Sequence, residues 1–421
     1  MKRVGDMNRK DNSHEALRLL AILEYRAGLS FREALLLKLV FTDERTDDSP
    51  DSREAWTEET AGQLFDGLDL DRESSDFLLL LAHYGTLHRW KWFPAQARAR
   101  AEGVRRYYQV KNATTIPTAV RVAEILEEEG IPAMFIKGMA MKSYYNPDTP
   151  RIMSDADILV RPGDYRKAQE TIFSLNQTAL EFVRAHSTDI EVGMAVIDLH
   201  CMPMKNGAGN TEQTWSRSLT FRWRDAQVRV PSPEEMLLFC LYTEFFNLLE
   251  GASPGRRLRW LYDAGRILPG ADWQRFVRLV HETGVQYEAA FMIRVLLRFL
   301  PWAADCGVNE SDLAARKDGN GRDANLPEGP QRILELYVDR LLHPCRARSV
   351  FGRQAHYFRH ALKQYRYENS LGTRRASNRA AFVLRMCMRK QFRLSMPKDW
   401  RKATGEMLIR EKTQKRQRKT V

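Results

Sequence analysis

The sequence predicts an α+β protein in which a small mixed sheet is flanked by N-terminal and C-terminal helical regions. Three observations predict it. Apolar residues recur at helical spacing up to about residue 129, short β-branched and aromatic runs follow from 131 to 230, and helical spacing then returns. A chain of 421 residues has room for two or three packed units. The pattern divides it into an N-terminal helical region (1–112), an α/β core (113–231), a C-terminal helical domain (232–342) and a basic tail (343–421).

Each element has a local reason. Leu17, Leu20 and Leu23, then Leu35, Leu36 and Leu39, mark helices between Ser13 and Thr42. Phe41–Glu54 is acidic and contains Ser and Pro, which predicts an exposed loop. Helices are expected at Trp56–Phe65, at Ser75–His83 behind the capping serines, at Ala95–Tyr108 and at Thr118–Glu129, where Gly130 is placed to end the helix. The run Ile131–Ile136 reads as a strand broken by Lys137–Gly138, and Met139–Tyr145 as a helical segment. NPDTP holds two prolines in five residues and must be loop. Strands are expected at Asp155–Val160, Glu181–Ala185, Ile190–His200, Thr220–Trp223 and Val228–Val230, with a helix over Asp164–Leu175.

Beyond Val230, Ser232 and Pro233 open a helix with Glu235 in its first turn. Further helices are expected over Tyr242–Glu250, Arg256–Leu268, Asp272–Gly284, Val285–Leu300 and Pro330–Leu342. Residues 306–330, rich in Gly, Asn and Asp, read as a mobile surface loop.

Composition excludes several classes. The chain is 43% hydrophobic and 29% charged, which is the balance of a soluble globular protein. Neither Phe77–Ala82 nor Met236–Tyr242, the longest apolar runs, approaches a bilayer span. MKRVGDMNRKDNSHEAL has charge but no apolar stretch, so it does not read as a secretory signal, and a cytoplasmic address is expected. Cys201, Cys240, Cys306, Cys345 and Cys387 stand singly, without CxxC or metal-ligand spacing, and are expected to be reduced. From His343 onward there are 22 Lys+Arg against four Asp+Glu, leaving 44 basic and 50 acidic residues before it. The net charge of +12 therefore belongs to the tail, over a mildly acidic body.

The chemistry is concentrated between Phe135 and His200. Asp155 and Asp157 stand two apart in a predicted strand, so both project from one face about 6.6 Å apart along the backbone. Two such carboxylates suit a divalent cation that also binds phosphate oxygens. Spacing alone is weak evidence, since Asp69–Asp71 and Asp189–Glu191 share it. Context strengthens it: Ile158, Leu159 and Val160 make the strand apolar, the Lys137–Gly138 turn permits close backbone approach to phosphate, and Asp198 adds a third carboxylate in the apolar run AVIDLH.

The segments IKGMAM and RIMSDADILV, followed by VIDLH, resemble an uncharacterised bacterial nucleotidyltransferase family of the polymerase-β-like superfamily. Lys137, Gly138, Arg151, Ser154, Asp155, Asp157, Asp198 and His200 match its pattern in order, and a looser likeness extends from about Leu78 to Pro301. The resemblance implies two Mg²⁺ ions on Asp155 and Asp157, with Asp198 binding the catalytic metal and helping to deprotonate an acceptor hydroxyl. It implies an NTP donor, ATP foremost, contacted by Gly138 and the amide of Met139, with Lys137, Arg151 and Ser154 around it. The superfamily's Gly-Ser pair is Gly138–Met139 here, which removes a hydroxyl from the γ-phosphate contact. Arg151 has two readings, a triphosphate contact or a salt bridge closing the NPDTPR loop onto the sheet. His200 reads as a histidine bonded beneath the carboxylates or as part of the site, and Asp263 as a helix-packing residue or a substrate contact.

In the tail, Leu384, Met388 and Phe392 recur four apart beside a row of Arg385, Arg389 and Arg393. Such a helix would dock on the enzyme body, lie on an anionic membrane surface at the inner face, or bind nucleic acid. A non-catalytic nucleotide- or RNA-binding module using residues 376–421 is the alternative to an enzyme. The acceptor and the oligomeric state are not encoded in these patterns.

Overall fold

The structure of the chain is a computed structural model that describes residues 21–45, 57–71, 73–87, 93–146, 149–175, 178–183, 187–204, 211–223, 226–250 and 257–313. All of these fall within one compact unit, Ala16–Pro330. The helix expected at Pro330–Leu342 and the whole basic tail lie outside the described residues.

Helices lead. They are α1 (residues 21–27), α2 (Phe31–Arg45), α3 (Glu58–Phe65), α4 (Ser75–Leu87) and α5 (Ala95–Glu128). Two expectations change here. Phe41 belongs to α2 rather than to an exposed loop, is 4% exposed, and its ring lies where a Cβ on Gly265 would stand. Ala95–Tyr108 and Thr118–Glu129 are one helix of 34 residues that continues through Pro117. Proline removes an N–H there, and the Thr114 and Thr118 hydroxyls bond back to the carbonyls of Lys111 and Thr114 at 2.8 and 2.9 Å. Gly130 follows in the left-handed conformation, at φ 72°.

The core then alternates: β1 (Met134–Phe135), α6 (Lys137–Met141), β2 (Ala156–Leu159), α7 (Tyr165–Ser174), β3 (Thr178–Val183), β4 (Ser187–Val192), β5 (Ala195–His200), α8 (Thr211–Ser216), β6 (Leu219–Trp223) and β7 (Ala226–Val230). They build one seven-stranded sheet in the order β3-β4-β5-β2-β1-β7-β6. Its outer pairs are antiparallel, whereas β2 with β5 and β1 with β7 run parallel. Three expected strands are redrawn. Ile190–His200 is a hairpin, β4 and β5, turning at Gly193 with φ 59°. β1 keeps two residues of Ile131–Ile136, and β2 begins at Ala156, leaving Asp155 in the bend before it.

The strand pairing sorts the two faces of the sheet. Ile158 pairs with Leu199, and Leu199 with Thr188. Thr188 meets Tyr165 and Gln169 of α7 at 2.6 and 2.7 Å, so this face is the one covered by α7. By alternation Asp157 and Asp198, which pair with each other, project from the opposite face.

Four helices follow: α9 (Pro233–Glu250), α10 (Arg257–Ile267), α11 (Trp273–Thr283) and α12 (Gln286–Phe299). Asp272 caps α11 through the Arg275 amide at 3.0 Å, and Gly284 closes it at φ 70°. The start of the expected mobile loop is folded instead: Pro301–Cys306 and Glu310–Leu313 form 3₁₀ turns, with Val308 and Leu313 buried. Cys201, Cys240 and Cys306 are free thiols. No helix among the described residues is long and apolar enough to cross a membrane.

Glu288 in α12 is 3% exposed, and burial pushes its carboxyl from 4.5 up to about 7. The folded chain then holds the proton more tightly than the unfolded one. Stability from this group is full below pH 4.5, falls as the pH rises to about 7, and is level above. Glu288→Gln should remove about 3 kcal/mol of that pH-dependent loss, read from urea unfolding at pH 4.5 and 8.

Candidate active site

Parallel pairing of β2 with β5 sets Asp157 directly beside Asp198, and Leu159 beside His200. All three polar groups are buried, at 5%, 6% and 1% exposure. Two carboxylates this close repel, so the site must supply positive charge. His200 Nε2 lies 3.0 Å from Asp157 Oδ1 and 3.0 Å from Asp198 Oδ2, which joins the pair. Lys137 Nζ lies 2.6 Å from Asp157 Oδ1 and 3.1 Å from His200 Nε2.

The titration shifts follow from these contacts. Burial would raise the Asp157 carboxyl, but Lys137 and His200 outweigh it and hold the group below the usual carboxylate range. Burial would lower the His200 imidazole and the Lys137 ammonium, but Asp198 chiefly raises the former and Asp157 the latter. Asp155 is raised by burial and by the nearby Asp157 charge. Its Oδ1 accepts from the Ser154 hydroxyl at 2.8 Å.

Lys137 occupies an uncommon backbone conformation, φ 46°, at the first position of α6. For a residue with a Cβ this costs about 1 kcal/mol or more. The Asp157 ion pair is formed at that strained position. Gly138 follows for a different reason: a Cβ there would lie 3.0 Å from Arg151 Nη1, in a space the guanidinium already fills.

Arg151 is committed to Asp263 of α10. Nε donates to Oδ1 at 3.1 Å and Nη2 to Oδ2 at 2.7 Å, while Nη1 reaches the Ile152 carbonyl at 3.3 Å. Tyr145 donates to the same Asp263 Oδ1 at 2.5 Å, and Asn112 of α5 donates to the Arg151 carbonyl at 2.7 Å. Of the two readings of Arg151, the geometry displays a salt bridge, but one that ties the loop to α10 instead of to the sheet. Both oxygens of Asp263 are engaged in these bonds, although the residue borders the adjoining cleft.

These groups line a cleft of about 400 Å³ between the sheet, the 149–155 loop and helices α9 and α10. Lys137, Gly138, Arg151, Ser154, Asp155, Asp157 and Asp198 all border it. Met139 does not; its side chain is 2% exposed and packs inward, so only its amide could meet a ligand. Sequence reading missed the facing wall: Cys240, Thr243, Glu244 and Asn247 of α9, with Arg259 and Trp260 of α10. The signal was present, because residues 240, 243, 244 and 247 form an i, i+3, i+4, i+7 stripe along the otherwise apolar middle of the helix, between Met236 and Leu249. Arg259 is anchored to Asp76 of α4 at 2.9 and 3.0 Å.

Asp157, Asp198 and His200 bring one ligand atom each within 4.8 Å of one another, a grouping able to hold a metal ion. Paired carboxylate oxygens, with Asp155 beside them, fit a hard divalent cation. A family model described as uncharacterised nucleotidyltransferase matches residues 77–301. The chain belongs to this family. The matched span runs from α4 to the end of α12 and so contains every residue of the nucleotidyltransferase cleft named above.

Among solved structures, the nucleotidyltransferase resembles an antigenic nucleotidyltransferase-like protein from Paracoccidioides brasiliensis at 13% identity. The match covers 45% of this chain and 90% of that one, with a TM-score of 0.34. It also resembles ANT(2'')-Ia, solved in complex with adenylyl-2''-tobramycin, at 13% identity over 42% of this chain and 98% of that one, with a TM-score of 0.31. No curated protein matches the chain.

Replacing one member of a buried ion pair leaves the other charge uncompensated. Asp263→Ala should therefore destabilise the protein by about 3–5 kcal/mol, measured by urea unfolding at neutral pH.

Proposed function

We propose that this protein transfers a nucleoside monophosphate from an NTP, with ATP as the donor, to an acceptor hydroxyl in a Mg²⁺-dependent reaction that releases pyrophosphate. The observation that carries the proposal is the Asp157–Asp198 pair on adjacent parallel strands, lining a cleft in a chain of nucleotidyltransferase family. Residues 113–231 would form the catalytic core, between helical regions 1–112 and 232–342.

Asp155, Asp157 and Asp198 would hold the metal, which when bound neutralises charge on the transferring phosphorus group and aligns the attacking and leaving oxygens. His200 keeps the Asp157 and Asp198 carboxylates in fixed orientation from beneath. Asp198 accepts the acceptor's proton as its oxygen attacks the α-phosphorus, while the bond to the β,γ-pyrophosphate breaks. Lys137 offers its ammonium to the phosphate oxygens from its place beside Asp157, and the Gly138–Met139 backbone and Ser154 border the triphosphate. Arg151 stays bound to Asp263 beneath them.

Loss of an outer partner of a metal ligand usually costs 10–100-fold, so loss of a ligand should cost more. Asp157→Ala should lower NTP-dependent label transfer in cell extract by more than about 100-fold, with circular dichroism unchanged. Normal transfer by that variant would refute the assignment. Removal of residues 376–421 separates the enzyme from a basic nucleic-acid-binding module or a membrane-bound form. The enzyme keeps pyrophosphate release on a soluble acceptor, whereas a module that binds RNA through its tail loses its ligand and its salt dependence.

A further inference from the structure

Asp263 lies on α10, outside the sheet, yet it is the point on which three segments of the cleft converge. Its two oxygens take Nε and Nη2 of Arg151, and one of them also takes the Tyr145 hydroxyl. Arg151 and Asp263 stand 112 residues apart, and both are largely buried, so the pair is a fixed joint rather than a surface contact. From that joint the guanidinium reaches two further places. Nη1 bonds the Ile152 carbonyl, three residues before Asp155, and it lies over Gly138, 3.0 Å from where a Cβ would stand, so that a side chain there would press on the guanidinium. Asn112 fixes the Arg151 carbonyl from the opposite side.

We infer that Asp263 is a positioning residue, which acts through Arg151 to hold the 150–155 loop and the Gly138 turn at the spacing needed to receive a metal-bound nucleotide. This deepens the nucleotidyl-transfer reading and rests on it. It gives α10 a part in the reaction without contact with the reacting atoms. Asp155 requires such support, because it precedes β2 and lacks the ladder bonds that fix Asp157 and Asp198. A bend residue keeps its place only as well as the loop before it does.

The test must separate positioning from stability. Replacing both partners with apolar residues of similar size, in the pair Arg151→Met with Asp263→Leu made together with Tyr145→Phe, leaves neither an unpaired charge nor a stranded hydroxyl at the joint. Phe276→Leu, in α11 away from the cleft, serves as a control for general loosening. Two readouts apply to the full chain: amide hydrogen exchange over residues 150–155 and 137–140, and calorimetric binding of α,β-methylene-ATP with Mn²⁺.

The paired variant should unfold cooperatively, exchange the 150–155 amides at least about 10-fold faster, and bind the Mn²⁺–nucleotide at least about 10-fold more weakly. The inference is overturned if both readouts stay within about twofold of the parent, or if Phe276→Leu reproduces the losses. Should the paired variant fail to fold, Asp263→Asn is judged by the same two readouts. If the parent itself binds no Mn²⁺–nucleotide, the nucleotidyl-transfer reading fails, and the exchange rates alone decide whether Asp263 holds the loop.

Discussion

Everything in the cleft depends on one unfavourable arrangement, two carboxylates placed side by side by the parallel pairing of β2 and β5. Asp157 and Asp198 share a face, a register and a nearly dry setting. In isolation that arrangement would drive one of them to protonate. His200 and Lys137 prevent it by placing positive charge or donors within 3.0 Å. The arrangement makes sense as a site whose negative charge awaits a cation, with protein charges balancing it in the meantime. It also accounts for the strained backbone at Lys137, since the strain accompanies an ion pair at the centre of this balance.

The surroundings are built to resist movement. Helix α10 is tied back to the N-terminal region by Arg259–Asp76 and by the Tyr84–Tyr262 hydroxyl contact at 3.1 Å. Arg151–Asp263 ties the loop to the same helix, α10. Because both ion pairs run through α10, the cleft has a rigid wall opposite the carboxylates. The polar stripe of α9 forms the rest of that wall, presenting an amide, a hydroxyl and a carboxylate to the cleft.

Much of this was legible in the sequence wherever a residue's role is local. The change from helical to strand spacing, the caps at Gly130 and Ser232, and the three carboxylates are all local signals. What escaped was non-local. Strand ends are set by partners, so β2 stops short of Asp155 although the sequence continues the alternation. The β4–β5 turn was hidden because Met194, 86% exposed at its tip, keeps the run looking apolar. Pro117 reads as a helix break, yet α5 passes through it while packing against α4 and the sheet. No window of sequence contains both Arg151 and Asp263, and none shows that Arg151 spends its charge inward.

The parallel pairing has a consequence for how the molecule comes into being. Hairpins β3–β4, β4–β5 and β6–β7 join neighbours in sequence and close short loops. The β2–β5 ladder must instead wait for the two hairpins between them, and its Asp157–His200 contact spans 43 positions. Arg151–Asp263 spans more than twice that. Contacts of high sequence separation are slow to form, because loop-closure entropy is spent before they give anything back. The ladder that sets the acidic centre is therefore of the slow-forming kind, and Asp157 and Asp198 come side by side only once β2 and β5 have paired.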